Sequence, residues 1–347
     1  MNKCQNSGRN LFAVAMLILL GATQADASEC GLSCCIAAGV EGVGNSTGFS
    51  LTAQYELMDM KTIRQGSTKL SPQQARTITG TNLSVPTKMT MQKFSTNISY
   101  RVDEDQAVVL TIPYLINDME MLSAMGMNMT MDTISGLGDV SMVYLRNVYT
   151  DTPIRTRKRF SLGAGIIAPT GKHDHRNRSG QLIHMMMQTG TGAWGGVLIA
   201  NGTLAFGEHE DRGAQWLISP SLTYQTNTTN NLGYRVGDRL NADISARYRL
   251  TSMFNLKLDV NGIWAGKDKT DGTIDSSGLV AYQNPTSMID NVVNTGIKSL
   301  FISPGFQWVA SPSIVISGEY RQPVYQKTNG IQQVTDHWYF LRASYRF

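Results

Sequence analysis

Three cysteines, Cys30, Cys34 and Cys35, stand together in the stretch SECGLSCC. Thiolates are soft ligands, and three of them clip a metal once a fourth ligand joins. The same spacing serves a local disulfide with one thiol left over. CxxCH is absent, so no c-type haem is attached through this chain alone. A second set of donors lies in KHDHRNRSGQLIHMMM, with His173, Asp174, His175, His184 and Met185 to Met187. A third, NDMEMLSAMGMNMTMD, carries Met119, Met121, Met125, Met127, Met129 and Met131. Imidazole and thioether groups suit copper and other soft metals, yet no spacing here fixes a coordination geometry. Methionines in loops serve equally as flexible apolar filler, the reading favoured here. Hydrolytic chemistry needs a nucleophile held by a base. His184, His209 and His337 have no nucleophile motif beside them, so a protein without enzymatic activity is expected.

The remaining chemistry lies in scattered arginines, and their spacing shows what positions them. In RLNADISARYRL, Leu240, Ala242, Ile244, Ala246, Tyr248 and Leu250 alternate with Arg239, Asn241, Asp243, Ser245, Arg247 and Arg249. After the TSMF corner, Leu256, Leu258, Val260, Gly262 and Trp264 alternate with Asn255, Lys257, Asp259 and Asn261. A helical face recurs every three to four residues, so this separation belongs to strands. The same test gives twelve strands, near 48–58, 88–102, 106–117, 137–149, 156–169, 192–206, 214–226, 239–250, 255–266, 297–310, 313–325 and 337–347. Those at 137–149 and 192–206 alternate poorly. Most exceed the ~5–6 residues of globular strands and match the ~9–11 of tilted membrane strands.

Short connections (103–105, 151–153, 208–213, 251–254, 311–313) take turns with long ones (59–87, 118–136, 170–191, 227–238, 267–296, 326–336). That asymmetry belongs to barrels with short periplasmic turns and long extracellular loops. The fold expected is therefore all-β, a single antiparallel transmembrane barrel of about 12 strands. A soluble β-sandwich would have no use for strands this long.

The first residues agree with export. Lys3 and Arg9 precede the apolar run LFAVAMLILL, and Ala25 and Ala27 form an A-x-A site, so residues 1–27 read as a signal peptide. Residues 28–47 then form a cysteine-containing periplasmic or plug segment, and 48–347 the barrel. The expected location is the outer membrane. A net charge of +4 is too small to argue for nucleic acid. The partners expected are outer-membrane lipid, the barrel assembly machinery and a small-molecule solute. The closing strand HWYFLRASYRF ends on Phe347, the kind of terminal aromatic that this machinery commonly recognises.

With the apolar stripes facing lipid, the other stripes line the lumen. They carry Lys93, Arg101, Arg155, Arg157, Arg159, Arg239, Arg247, Arg249, Lys257, Arg321, Arg342 and Arg346 against Glu56, Asp243, Asp259 and Glu319. Charged lumen rings set ion preference, so this basic excess predicts a preference for anions. Arg101, Arg157, Arg159, Arg249 and Arg346 also lie near periplasmic ends, where interfacial solvation explains them equally well, and the others can pair with Asp243, Asp259 and Glu319 and simply fill space.

GLGDV (136–140), IIAPTGKHD (166–174), QTGTG (188–192), GYRVGDRLN (233–241), SPGFQW (303–308), QPVYQKTNGIQQ (322–333) and RASYRF (342–347) follow one another in an order and spacing that is familiar. Together they resemble the outer-membrane barrel family named for the meta-pathway of phenol degradation, related to the long-chain fatty-acid outer-membrane transporters. The resemblance covers almost all of the chain after the signal peptide. It implies a barrel transporter for small or hydrophobic molecules. Fatty-acid transporters plug the lumen with a longer N-terminal hatch; here the CGLSCC stretch would lie within or beneath the pore. Two functions follow. One is a transport channel; the other is a non-conducting sleeve that assembles with periplasmic electron-transfer or metal-handling proteins through the cysteine segment.

Overall fold

A strand with one apolar and one polar face can cross a bilayer only when its backbone groups are all paired, and in a sheet that requires closure. The computed structural model describes residues 47–80, 83–151, 157–208, 213–271 and 287–347. The signal-peptide reading, Cys30, Cys34, Cys35, Arg155 and His209 lie outside the described residues. Among the described residues, twelve long antiparallel strands form a closed ring. They are β1 (Gly48–Gln65), β2 (Val85–Arg101), β3 (Gln106–Leu122), β4 (Val140–Thr150), β5 (Lys158–Ala168) and β6 (Gly195–Phe206). The second half comprises β7 (Trp216–Asn227), β8 (Arg239–Arg249), β9 (Phe254–Ala265), β10 (Ile297–Ser311), β11 (Ile314–Thr328) and β12 (Ile331–Arg346). Each pairs with its sequence neighbour, and β1 pairs with β12 from Ser50 opposite Arg346 to Gln65 opposite Ile331. None of these twelve strands is left as an edge to recruit another chain.

Alternation sorts the side chains as expected. Leu258 is 51% exposed while the adjacent Asp259 is 1% exposed, so the apolar stripe faces outward and the polar one inward. Aromatic residues mark both rims of the outer face: Phe254 stacks on Phe306 at 6.0 Å beside Trp308 near the short turns. Trp264 and Tyr325 lie near the other end. Such girdles are where amphipathic rings meet lipid headgroups.

The long connections carry structure of their own. After β1 comes a short strand (Thr68–Leu70) and helix α1 (Pro72–Thr79), opened by a capping box between Ser71 and Gln74 with Pro72 behind it. One expected loop is absent: 326–336 is a tight hairpin in which β11 runs to Thr328 and β12 resumes at Ile331. Asn329 and Gly330 make the turn, Gly330 at φ 65°. Asn-Gly is the pair such turns select. The polar run around it reads as loop, but Gln326 donates to the Thr335 carbonyl at 2.6 Å and Gln333 to that of Met60 at 3.0 Å. Those partners stabilise a ribbon standing beyond the apolar band.

Candidate functional site

Three of the family-like motifs, GLGDV, IIAPTGKHD and QTGTG, meet at the outer rim. Asp139, just before β4, accepts bonds from the Gly171 amide at 3.0 Å, the Thr191 amide at 2.8 Å and the Thr191 hydroxyl at 2.6 Å. The Thr170 hydroxyl donates to the Gly138 carbonyl at 2.9 Å and accepts from the Val140 amide at 2.9 Å. A Cβ on Gly190 would lie 2.4 Å from the Gly171 carbonyl, so only glycine permits this crossing. Asn230 then donates to the Thr191 carbonyl at 2.9 Å. The β5–β6 connection is thereby clamped at both ends and turned over the mouth.

Its middle enters the lumen. Gln188 accepts from the His175 amide at 2.9 Å and donates to the Ile183 carbonyl at 2.8 Å, which shapes the loop. Asn117 of β3 donates to the Met187 carbonyl at 3.1 Å, and Met187 is fully buried. Around it pack Met60 from β1, Met89 from β2, Met119 and Met121 from β3, and Ile134 and Ile183. Met58, Met91, Met131 and Met186 border the cluster. Met119 and Met121, expected in a loop, are thus inward-facing strand residues, whereas Met125, Met127 and Met129 are exposed on the protruding ribbon. Beside this sector Val143, Ile167, Val197 and Ile199 form a second apolar cluster on the inner wall, with Leu145 against it. Part of the inner face of β4 and β6 is therefore apolar, at the segments whose alternation was poor.

Below the apolar layer runs a belt of charge. Glu319 of β11 lies 2.7 Å from Arg321 Nε, 3.4 Å from Arg342 Nη1 and 3.5 Å from Lys257 Nζ. Lys257 also meets Asp259 at 3.2 Å. Arg342 Nε donates to Gln54 at 2.9 Å, Gln54 donates to Glu56 at 2.6 Å, and Glu56 meets Lys93 at 2.6 Å. Asp259 accepts from Ser245 at 2.6 Å, and Asp243 accepts from Asn261 at 2.8 Å. Arg321 stacks over Phe340 at 4.4 Å and Trp338 at 5.0 Å, inward aromatics that the outward stripe of β12 did not disclose. Lys93, Lys257, Arg321 and Arg342 face Glu56, Asp259 and Glu319, so the belt is nearly balanced.

The other basic residues lie elsewhere. Arg101 donates to the Glu104 carbonyl at 2.9 Å and lies near the periplasmic end within electrostatic reach of Arg159 and Arg346 and of Asp103 and Asp105. Arg157 sits in a turn, 3.1 Å from Glu208. Arg159 and Arg247 are buried, Arg249 is half-buried, and Arg239 is exposed on the inward register at the outer end of β8. The three histidines do not converge. His173 Nε2 is 2.6 Å from Asn231, His175 Nε2 is 3.4 Å from Thr189, and His184 Nδ1 is 2.7 Å from Asp290. No group of three or more His, Cys, Asp or Glu side chains among the described residues is placed to hold a metal.

Titration in the outer loops follows local surroundings. Burial, with Lys172 nearby, holds the His175 imidazole below its ordinary value. Asp238 is held below the usual carboxylate range by the Thr226 hydroxyl first, then Tyr224 and Arg235. Asp268 is pushed up by burial, although Tyr234 and the Gly237 amide bond to it.

A family profile described as "Putative MetA-pathway of phenol degradation" matches residues 67–287. An outer membrane channel from Pseudomonas putida F1 superposes with a TM-score of 0.57 at 12% identity, over 88% of this chain and 98% of that one. A FadL homologue from Pseudomonas aeruginosa gives a TM-score of 0.43 at 10% identity, over 94% and 100%. The CymD monoaromatic hydrocarbon channel gives 0.40 at 10% identity, over 86% and 88%. No curated protein matches. At these identities the likeness to the P. putida channel is one of fold.

Proposed function

We propose, from the premise that this chain belongs to the family named for the MetA-pathway of phenol degradation, that it is an outer-membrane channel for small hydrophobic molecules, aromatic ones foremost. One observation carries the reading: the interior of the outer half is apolar, with Met60, Met89, Met119, Met121 and Met187 packed together on one side and Val143, Ile167, Val197 and Ile199 clustered on the other. A channel for ions or sugars has no use for such a wall, because apolar lining raises the cost of a hydrated solute. An apolar solute gains about 0.8 kcal/mol per methylene taken from water. Methionine suits a passing solute, being unbranched, polarisable and attracted to aromatic rings.

Below that layer, β5 to β7 offer the inner wall Ser161, Gly163, Asn201, Thr203, Ser219 and Ser221, facing the crowded belt across the barrel. Both amide atoms of Asn201 and the hydroxyls of Thr203 and Thr223 are buried without a protein partner among the described residues. Polar atoms in that state bond to water or to a solute. We assign the path to this wall.

The test is uptake of labelled phenol and toluene into cells expressing the protein, beside conductance in planar bilayers. Faster uptake of the aromatic compounds than of a sugar of equal size is expected. Equal enhancement for both would overturn the hydrophobic assignment. A purified protein whose gel band does not shift on boiling would remove the barrel beneath it.

A further inference from the structure

On the outer face of β9 to β11 the cross-strand pairing is explicit. Trp264 stands opposite Lys298, Lys298 opposite Lys327, and Leu300 opposite Tyr325. Two lysines thus face each other directly, one register step beyond an apolar–aromatic pair. Both are exposed, and neither makes an ion pair or side-chain hydrogen bond with the described residues. Like charges directly opposite each other weaken a sheet, so the pair calls for an external anion.

The height of the pair says which anion is at hand. Trp308, in the girdle near the short turns, lies on the same strand and the same face as Lys298. Ten residues separate them, which at ~3.3 Å each and a tilt near 40° is roughly 25 Å, the height of the apolar band. Lys298 and Lys327 therefore stand at the outer headgroup level, on the side of the long loops. Trp264 beside them and Leu300 and Tyr325 one step below offer a surface for acyl chains. We propose that Lys298 and Lys327 form a binding site for a phosphorylated glycolipid of the outer leaflet, the two ammonium groups holding one phosphate and the aromatic step holding its chains. The lysine pair would fix the orientation of the lipid beside β9 to β11, a role distinct from solute passage.

The full-length protein, purified in detergent, is mixed with bisphosphorylated lipid A and examined by native mass spectrometry. The wild type should retain one lipid A, and the K298Q/K327Q variant at least fivefold less. Lipid A stripped of its phosphates should show the same loss on the wild type. K158Q, which removes an outward lysine beside the periplasmic turn, should bind as the wild type does. A boil-shifted gel band confirms that each variant is folded. Equal retention by K298Q/K327Q, or an equal loss in K158Q, overturns the site. So does displacement by millimolar inorganic phosphate, which would mark a site for the free ion.

Discussion

The imidazole Nδ1 of His184 lies 2.7 Å from a carboxylate oxygen of Asp290, joining the β5–β6 connection to the turn that precedes β10. Both residues are buried, and the adjoining Met288 packs against Ile63, Val85 and Ile331 at the seam of the barrel. Between its clamped ends the β5–β6 connection is thus also held at Met187 to β3 and at His184 to the opposite rim.

Loss of that second mooring should loosen the mouth. A hydrogen bond to a charged group contributes about 1.5–3 kcal/mol, equivalent to roughly 10- to 100-fold in a closed-to-open ratio. His184→Ala and Asp290→Ala should each raise open probability in planar bilayers by about that factor. Unchanged gating would show that the bridge holds the loop without governing passage.

The methionine layer makes a second claim. Met121→Ala removes three heavy atoms from that layer and should lower solute affinity there by roughly 1–2 kcal/mol, slowing toluene uptake about 5- to 30-fold. Met121→Leu should retain most of the rate. Potassium chloride conductance, read on the same preparations, should not fall with either change.

Glu319 is the anion shared by three cations. Glu319→Gln leaves Lys257, Arg321 and Arg342 facing one another, a change that costs about 3–5 kcal/mol where a buried pair is broken. The variant should unfold at lower denaturant and shift the reversal potential towards anions. Adding Lys257→Met should recover part of the stability.

Gly171 and Gly190 cross too closely for any side chain. Gly190→Ala should displace the clamp at Asp139, giving flickering conductance and faster proteolysis within 170–191, while the heat-shifted gel band persists. Intact gating would mean that the clamp is not the loop's anchor.

Asp238 supplies a pH dependence. Its carboxyl is held below its ordinary value, so its contribution is present above the unfolded value near ~3.9 and is lost as pH falls through the lower folded value. Protection of 227–238 from protease should therefore weaken in strong acid, and Asp238→Asn should remove that dependence.

Strand positions were legible because lipid imposes a period of two that nothing else in the sequence imitates. Val143 and Ile199 obscured it, since an apolar residue on the inner face is indistinguishable by type from one on the outer. The 326–336 hairpin was hidden for the opposite reason: Gln326 and Gln333 look like loop residues until their carbonyl partners across the ribbon are known. Charge was read one strand at a time, and a basic lumen followed. The balance at Glu319 depends on three strands converging, a relation of register that no single stretch contains. The three histidines shared residue type but not location, and each found a separate partner.

The pairing of β1 with β12 has a kinetic consequence. The partners of the first strand are the last residues to become available, so the circle cannot shut until nearly every other pairing exists. Until then two unsatisfied margins persist, and any delay between them is the interval in which a foreign strand can intrude. Changes at Tyr55 or Leu341, which face each other across that junction, should therefore alter the yield of assembled protein more than its endurance once assembled.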